Sequence, residues 1–320
     1  QHVLRKMSSN PLGVGIDFGG TFVKVGVVDG DHVIAQAPPL ATPEFDGAPP
    51  LIDAIAATIS CLREKHPAIA AIGVGMPGFV DFEHGLVHGL TNVPGWEDIA
   101  LRDELQQRCN LPTQVENDAN AMAYAEWKLG AAVGCHHVIA LTLGTGVGGG
   151  LIVNDRLVRG ARSAAGELGQ TSIDYRGRKG AYGNLGALEN YIGNNEIAAE
   201  AQQAYAKLGE HHSIEDCQPA MLSKAAANGD PVALSIWRGF AEKLSCALLN
   251  CCYLLNPEII VIGGGVAKAG AVLFGPLESH LRDQLGDVFN KHRRIVPARF
   301  GNEAGMLGSA RIALEEAGLI

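Results

Sequence analysis

Three short glycine runs each interrupt a strand-like apolar segment, and the third of them is Gly263, Gly264 and Gly265. The first two could bind phosphate through their backbone amides: they are the turns at Gly19, Gly20 and Thr21 and at Gly144, Thr145 and Gly146. A tight turn of this composition exposes consecutive N–H groups that can hold anionic oxygens, and threonine hydroxyls add further donors. The pattern predicts a phosphate site that needs no cluster of lysines.

Asp118 is the candidate for proton transfer. It lies where the strand-like segment TQVEN meets an alanine-rich helical pattern at residues 119–129. An alcohol is a poor nucleophile, and a carboxylate within hydrogen-bond reach can take its proton while a bond to phosphorus forms. The residues alone favour the other interpretation, an aspartate that caps a helix N-terminus. Both interpretations stay open at this level.

Two charged residues flank the first glycine run. Asp17 follows the first predicted strand, where its carboxylate could hold Mg²⁺ through water or could simply cap the turn. Lys24 lies on the following strand and could approach a phosphate or remain solvated. The sequence does not choose between the two roles of Asp17, and for Lys24 it favours a solvated lysine on the strand.

The spacing G-x-G-x-x-G occurs at residues 73–78 and again at 144–149. A dinucleotide site needs a helix directly after those glycines, but the strand-like segments FVDF and LIV follow here. No G-x-x-x-x-G-K-[ST] loop occurs either. We therefore expect hairpin turns instead of either of these nucleotide-binding loops.

Strand-like and helical segments alternate along the chain, which predicts an α/β protein. Apolar periodicity predicts helices at residues 98–109, 119–129 and 231–255, the last capped by Asp230 with Pro231 in its first turn. The first two glycine runs repeat the same pattern of a strand, a turn and a strand. This repeat suggests two similar lobes.

Composition excludes several classes of protein. The chain has 320 residues, 47% of them apolar, which is enough for one large or two ordinary domains. No long apolar run or secretory pattern is present, so we expect a cytoplasmic protein without membrane contact. A net charge of −9 without a basic run disfavours nucleic acid. The seven cysteines lack C-x-x-C spacing, and we expect buried free thiols.

Several segments resemble the ROK family of sugar kinases and repressors. They are GIDFGGTFVKVGVVD, GVGMPGFVD, NVPGW, VENDANAMAYAE, LTLGTGVGGGLIVNDRLVRGARSAAGELG and NPEIIVIGGGV. The resemblance implies a duplicated actin-like (ribonuclease H-like) ATPase fold of two lobes, with ATP and sugar in a cleft between them. Residues 1–12 would be an extension, 13–118 the N-terminal lobe completed by helix 305–320, and 119–304 the C-terminal lobe.

The resemblance also implies roles for individual residues. The first two glycine runs would bind the phosphates, and residues 263–265 would lie against the adenosine. Asp118 would be the general base, and Asp17 and Lys24 would lie on the nucleotide side. The residues that would contact the sugar are Gly78, Asn92, Asn117, Asp118, Glu167, Gln170 and Glu189.

The chain departs from the family pattern at a zinc site. Family members carry a histidine and three cysteines where this chain has Gln170, Gly180, Tyr182 and Ala187. None of these four is a zinc ligand, so we predict no structural zinc. We expect packing around Tyr182 and Leu185 to order residues 171–187 instead, and Gln170 to offer hydrogen bonds in place of the histidine.

The pairs His136-His137 and His211-His212 are expected at the surface or in turns, since adjacent side chains point in different directions.

The favoured function is transfer of phosphate from ATP, with Mg²⁺, to the 6-hydroxyl of a hexose, glucose first. N-acetylhexosamine, mannose or fructose as acceptor and polyphosphate as donor are the alternatives within that class. A sugar-responsive repressor is disfavoured because only twelve residues precede Gly13, too few for a helix-turn-helix domain. A catalytically silent sugar-binding protein is disfavoured because Asp118 and both phosphate turns are intact. The resemblance also suggests a homo-oligomer, a dimer or larger.

Overall fold

The structure is a computed structural model that describes residues 11–90 and 93–320. Residue contacts divide the chain into two compact units. The first unit comprises Gln1–Ala125, Gly160–Ala164 and Glu303–Ile320, and the second comprises Glu126–Arg159 and Ala165–Asn302. Most of the proposed N-terminal extension, and Asn92, lie outside the described residues.

Strands and helices alternate through the described residues, which confirms the α/β class. In chain order the strands are β1 (Leu12–Phe18), β2 (Phe22–Asp29), β3 (His32–Gln36), β4 (Leu40–Ala41), β5 (Ile69–Met76), β6 (Val80–Asp81), β7 (Leu86–Gly89), β8 (Glu97–Ile99), β9 (Thr113–Asn117), β10 (Val138–Leu143), β11 (Val147–Val153), β12 (Arg156–Leu157), β13 (Ile259–Gly263) and β14 (Arg294–Pro297). The helices are α1 (Ala48–Lys65), α2 (Leu101–Cys109), α3 (Asp118–Lys128), α4 (Glu189–Ile192), α5 (Asn194–Ala206), α6 (Pro219–Ala227), α7 (Pro231–Leu255), α8 (Ala271–Gln284), α9 (Asp287–Asn290) and α10 (Ala304–Glu316).

The main sheet of each unit has the same topology. In the first unit the order is β3-β2-β1-β5-β9, with β1 antiparallel to β2 and parallel to β5. In the second unit the order is β12-β11-β10-β13-β14, with β10 antiparallel to β11 and parallel to β13. The repeated hairpin in the sequence thus corresponds to a duplicated sheet.

The glycine runs at residues 73–78 and 144–149 do not form dinucleotide loops. Residues 73–76 belong to β5, and β11 follows the turn at residues 144–146. Gly73 is needed for packing, because a Cβ there would lie 1.8 Å from the backbone oxygen of Ser309 in α10. Gly15 on β1 meets the same helix, with a Cβ only 2.1 Å from the oxygen of Met306. Helix α10 can therefore lie directly on β1 and β5 of the first unit.

The longest predicted helix is confirmed. Helix α7 spans Pro231–Leu255, and the Asp230 carboxylate accepts a hydrogen bond from the Ala233 amide at 2.8 Å. The helix predicted at residues 98–109 instead begins at Leu101, because residues 97–99 pair with β7 as strand β8. The apolar face predicted for this helix is confirmed, because Leu101, Leu105 and Cys109 are all buried.

All seven cysteines are free, and five of them are buried. Burial raises the pKa of Cys251 and of Cys252 to about 11, so both are thiols at neutral pH. The expectation of buried thiols is wrong for Cys61, which is exposed, and Cys246 is only half-buried. Within the described part of the chain, no helix combines the length and apolar character that crossing a bilayer requires.

Candidate active site

The first glycine turn, residues 19–21, connects β1 and β2. The Gly19 amide donates to the Phe22 oxygen at 2.9 Å, and the buried Thr42 donates its hydroxyl to the Gly20 oxygen at 2.8 Å. No described residue accepts a hydrogen bond from the amides of Gly20 and Thr21. Two adjacent N–H groups therefore remain available for an anion.

The second glycine turn, residues 144–146, connects β10 and β11 in the second unit. The Gly144 amide donates to the Gly146 oxygen, and the Gly144 oxygen accepts from the Asn194 amide, both at 3.0 Å. Again, the amides of Thr145 and Gly146 have no hydrogen-bond acceptor among residues 11–90 and 93–320. The two turns thus expose equivalent pairs of N–H groups, one pair in each unit.

The third glycine run lies beside the second turn. Strand β13 runs parallel to β10 with Gly263 opposite Thr142. Gly264 has a φ of +81°, and a Cβ there would lie 2.2 Å from the Leu143 oxygen. A side chain at position 264 would therefore push β13 away from the residue that precedes the second turn.

Asp17 and Asn117 lie at the carboxyl ends of two strands of the first sheet, and Asp118 begins α3 directly after β9. In open α/β sheets, ligands bind outside this end of the strands. Gly75, between them on β5, pairs with Asp17, and its missing Cβ would lie 3.7 Å from the Cα of Asp118. The first unit thus brings Asp17 and Asp118 to the same edge of its sheet.

Asp118 is half-buried, and its Oδ1 accepts a hydrogen bond from the Ala119 amide at 2.8 Å. Its neighbour Asn117 donates from Nδ2 to the Gly78 oxygen at 3.1 Å, and its Oδ1 accepts from the Asn120 amide at 3.1 Å. The structure therefore brings together Gly78, Asn117 and Asp118, all three predicted from the sequence. Gly78 has a φ of +80°, a conformation that favours glycine.

Sequence reasoning missed Glu116, which precedes this pair on β9. Its side chain is buried, and its Oε1 accepts from the Asn117 amide at 2.9 Å and from Asn120 Nδ2 at 3.0 Å. It fixes the backbone from which Asn117 and Asp118 project. The sequence feature that could have identified Glu116 is an acidic residue directly after the apolar Val115 in a short strand.

Lys24 and Asp17 form an ion pair, with Nζ 3.0 Å from Oδ2. The two residues lie opposite each other on β1 and β2. Their side chains are 35% and 26% exposed. Lys24 is therefore paired with Asp17 and is not freely solvated. The sequence analysis did not predict this ion pair.

Three predicted residues of the second unit also lie together. Gln170 donates from Nε2 to Oε1 of Glu189 at 3.4 Å. Glu167 is half-buried, and its burial, followed by the charge of Glu189, raises the pKa of its carboxyl group. The Gln170 Oε1 is buried without a hydrogen-bond partner among the described residues, so it can accept from a ligand.

The segment at residues 171–187 is ordered by hydrogen bonds. Short β-bridges join Ser172 to Ala187 and Lys179 to Leu185. The expected packing anchors are wrong, because Tyr182 is 64% exposed and Leu185 is 46% exposed. Tyr182 lies in a tight turn closed by the Gly183 amide and the Gly180 oxygen, and a side chain at such a tip points away from the core.

Side chains attach this segment to the rest of the second unit. Arg178 donates its amide to the Tyr191 hydroxyl at 3.0 Å, and its guanidinium lies 4.6 Å from the centre of the Tyr191 ring. The same guanidinium donates to Glu196 at 2.9 Å. Asn184 Nδ2 donates to the Gln170 oxygen at 2.7 Å, which connects the segment directly to a predicted sugar residue.

The histidine pairs lie in bends and loops, and His137 and His212 are half-buried. His136 is exposed and interacts with the Asp155 carboxylate at 2.8 Å, which raises its pKa. His211 is exposed as well. No group of three or more His, Cys, Asp or Glu side chains suited to a metal ion occurs among the residues that the structure describes.

Comparison with known proteins identifies the family. A model of the ROK family matches residues 13–316. The glucokinase of Thermotoga maritima is 34% identical over 95% of this chain and 98% of its own length. The crystal structure of a ROK family glucokinase from Streptomyces griseus in complex with glucose and AMPPNP has a TM-score of 0.80 and 33% identity, and the match covers 95% of this chain and 99% of that one.

Repressors of the same family are also related, at lower identity. The xylose repressor of Bacillus subtilis is 28% identical over 83% of this chain and 66% of its own length. The structural likeness confirms the predicted duplicated actin-like fold. The family match spans nearly the whole chain and includes both glycine turns. The chain therefore belongs to the ROK family.

Proposed function

We propose that the protein transfers the γ-phosphoryl group of ATP to the 6-hydroxyl of glucose. The observation that carries the proposal is the pair of glycine turns, each with two adjacent amides that no described residue uses. Such amides stabilise the negative charge of a transferring phosphoryl group without any rearrangement at the moment of reaction. The glucokinases among its relatives support glucose as the acceptor.

Asp118 is the proposed general base. Its carboxylate accepts the proton of the sugar hydroxyl while the hydroxyl oxygen bonds to the γ-phosphorus, and the bond from that phosphorus to the β,γ-bridging oxygen breaks to release ADP. Its position at the first turn of α3 limits its motion, which favours proton transfer in a fixed geometry. A positioned base contributes about 10²- to 10⁴-fold in rate.

The sugar would be held by amide and carboxylate groups. The proposed contacts are Gly78, Asn117, Glu167, Gln170 and Glu189. Their chemistry suits paired hydroxyls, and a buried acceptor such as Gln170 Oε1 penalises a sugar that lacks the matching hydroxyl. Asn92 keeps its proposed sugar contact, although it lies outside the described residues.

Asp17 fits the Mg²⁺ that accompanies ATP. Magnesium in phosphoryl-transfer sites commonly has one or two protein carboxylates, with phosphates and waters as the remaining ligands. Asp17 provides one such carboxylate beside the first turn, and only its Oδ2 contacts Lys24. When bound, Mg²⁺ would neutralise phosphate charge, while Lys24 and the turn amides orient the nucleotide and residues 263–265 border the adenosine. Structural zinc is not part of the proposal.

An ADP-release assay over a panel of sugars tests the proposal. The panel contains glucose, mannose, fructose and N-acetylated hexosamines, each with ATP or with polyphosphate. We expect the largest kcat/KM with glucose and ATP. Preferential turnover of another pair would reassign the acceptor or the donor, and no turnover of any pair would contradict kinase activity and favour a sugar-sensing or silent binding protein. We place the reaction in the cytoplasm and propose a homo-oligomer, a dimer or larger.

A further inference from the structure

Glu189 contacts both the sugar side and the phosphate turn of the second unit. Resting on the function proposed above, we propose that Glu189 is a positioning residue that holds the turn at residues 144–146 in its phosphate-binding conformation and couples sugar binding to nucleotide binding. This is a role additional to contact with a sugar hydroxyl. It would make the affinity for ATP depend on whether the sugar is present.

The first observation is a hydrogen bond from the turn to this side chain. The Val147 amide, directly after the turn, donates to Glu189 Oε2 at 2.8 Å. A Cβ on Gly146 would lie 2.6 Å from the same oxygen. The carboxylate thus lies directly against the turn backbone, and a side chain at position 146 would displace it.

The segment that begins with Glu189 contacts the turn at two further points. The Asn194 amide donates to the Gly144 oxygen at 3.0 Å, and a Cβ on Gly193 would lie 2.9 Å from the Thr145 oxygen. The Gly193 amide donates to the backbone oxygen of Glu189 at 3.0 Å. Residues 189–194 therefore support the turn from its beginning to its end.

The second carboxylate oxygen of Glu189 faces the sugar residues. Its Oε1 accepts from Gln170 Nε2, and the charge of Glu189 adds to the burial that raises the pKa of Glu167. A sugar hydroxyl that binds at Oε1 restricts rotation of the carboxylate, which also fixes Oε2 against the Val147 amide. Any such coupling is reciprocal, so bound nucleotide must tighten sugar binding by the same factor.

The test measures the Kd of a non-hydrolysable ATP analogue by calorimetry, with and without saturating glucose. In the wild type we expect glucose to tighten nucleotide binding by at least about 5-fold, the lower end of typical coupling. Glu189→Ala should weaken nucleotide binding by about 10-fold even without glucose and should remove the effect of glucose. Glu189→Gln should recover the glucose-free affinity, because its amide oxygen can still accept from the Val147 amide.

A control variant separates this role from general damage. Glu200→Ala removes an exposed carboxylate of α5 and should change neither affinity. A glucose-free nucleotide Kd in Glu189→Ala equal to that of the wild type would overturn the proposal and leave Glu189 with sugar contact alone.

A measurement on the wild type covers the case in which Glu189→Ala does not fold. Glucose alone should slow hydrogen exchange of the Val147 amide, and unchanged exchange with glucose bound would also overturn the coupling. Failure of the proposed function has a different signature, because no sugar in the panel would then be phosphorylated. If the wild type phosphorylates a sugar but its nucleotide Kd does not depend on glucose, the coupling role of Glu189 is wrong and the proposed function is retained.

Discussion

Asp17 and Lys24 form an ion pair across the first hairpin of the first unit, with Oδ2 3.0 Å from Nζ. The pair lies directly next to the first glycine turn, where the triphosphate is proposed to bind. Lys24 offsets one negative charge of the site before any nucleotide arrives. Asp17 retains a second oxygen, Oδ1, that would be available to a water ligand of the proposed Mg²⁺.

Asp17→Asn should increase the Mg²⁺ requirement of the enzyme. A carboxylate that acts on a metal through water typically contributes about 10- to 100-fold to its affinity, and we expect a shift of that size in the Mg²⁺ concentration for half-maximal rate. The measurement is a Mg²⁺ titration of the initial rate at fixed ATP and glucose. An unchanged titration curve would leave Asp17 with the structural role of a turn residue.

Asp118→Asn should lower kcat by about 10²- to 10⁴-fold with little change in the KM for glucose. The amide oxygen of asparagine can still accept from the Ala119 amide, so the start of α3 should be preserved. Steady-state kinetics and thermal unfolding of the variant test both points. Turnover comparable to that of the wild type, in a folded variant, would contradict the assignment of the base.

Local signals predicted the elements well. Asp230 followed by Pro231 marked the beginning of α7, and the glycine turns marked both hairpins, because capping and turn preferences act within a few residues. Contacts between distant segments could not be predicted in this way. The close approach of Gly73 to Ser309 depends on how α10 packs on the sheet, which no local pattern specifies.

The same limit applies to the site. Asp118 was proposed from the junction of strand and helix together with the family resemblance, and Asn117 from the resemblance alone. The link from Glu189 to Val147 depends on the positions of two segments that are far apart in the chain. Tyr182 was expected to pack in place of zinc ligands, yet its place in a tight turn leaves it exposed. Backbone bridges order that segment instead.

Glu167→Gln should stabilise the fold in a pH-dependent way. Because the pKa of Glu167 is raised, the folded state binds its proton more tightly than the unfolded state. This tighter proton binding stabilises the folded state fully when the pH is below the pKa of Glu167 in the unfolded state. The stabilisation is lost as the pH rises through the pKa of Glu167 in the folded state. The glutamine variant should therefore gain more in Tm at about pH 8 than at about pH 4, while its KM for glucose increases.

Thermal unfolding of the wild type and the Glu167→Gln variant at both pH values provides this comparison. Glu200→Gln, which changes an exposed carboxylate, should show no pH-dependent gain. An equal Tm difference at the two pH values would mean that burial of the Glu167 charge does not cost folding free energy.

Gly73→Ala and Gly75→Ala form a matched pair on β5. A Cβ at position 73 would lie 1.8 Å from the Ser309 backbone oxygen, so α10 would have to move, and we expect a loss of about 3 kcal/mol in the free energy of unfolding. At position 75 the nearest atom would be 3.6 Å away, and we expect a change below about 1 kcal/mol. Urea unfolding of both variants measures the difference, and similar losses would contradict the packing of α10 on β5.

Removal of metal should leave the segment at residues 171–187 intact. Its bridges and the contacts of Arg178 with Tyr191 and Glu196 involve no thiolate or imidazole ligand. We therefore expect substoichiometric zinc by elemental analysis, and an unchanged Tm after treatment with a chelator. Arg178→Met should instead increase proteolytic cleavage within the segment, since it removes contacts worth about 1 kcal/mol.

Arg176→Met is the control for this last variant, because the Arg176 guanidinium lies over the ring of the adjacent Tyr175 and should contribute little to order. Its cleavage rate should match that of the wild type. Stoichiometric zinc, or a Tm that falls on chelation, would show that other ligands hold the metal in this chain. Equal cleavage of the two arginine variants would mean that the backbone bridges alone order the segment.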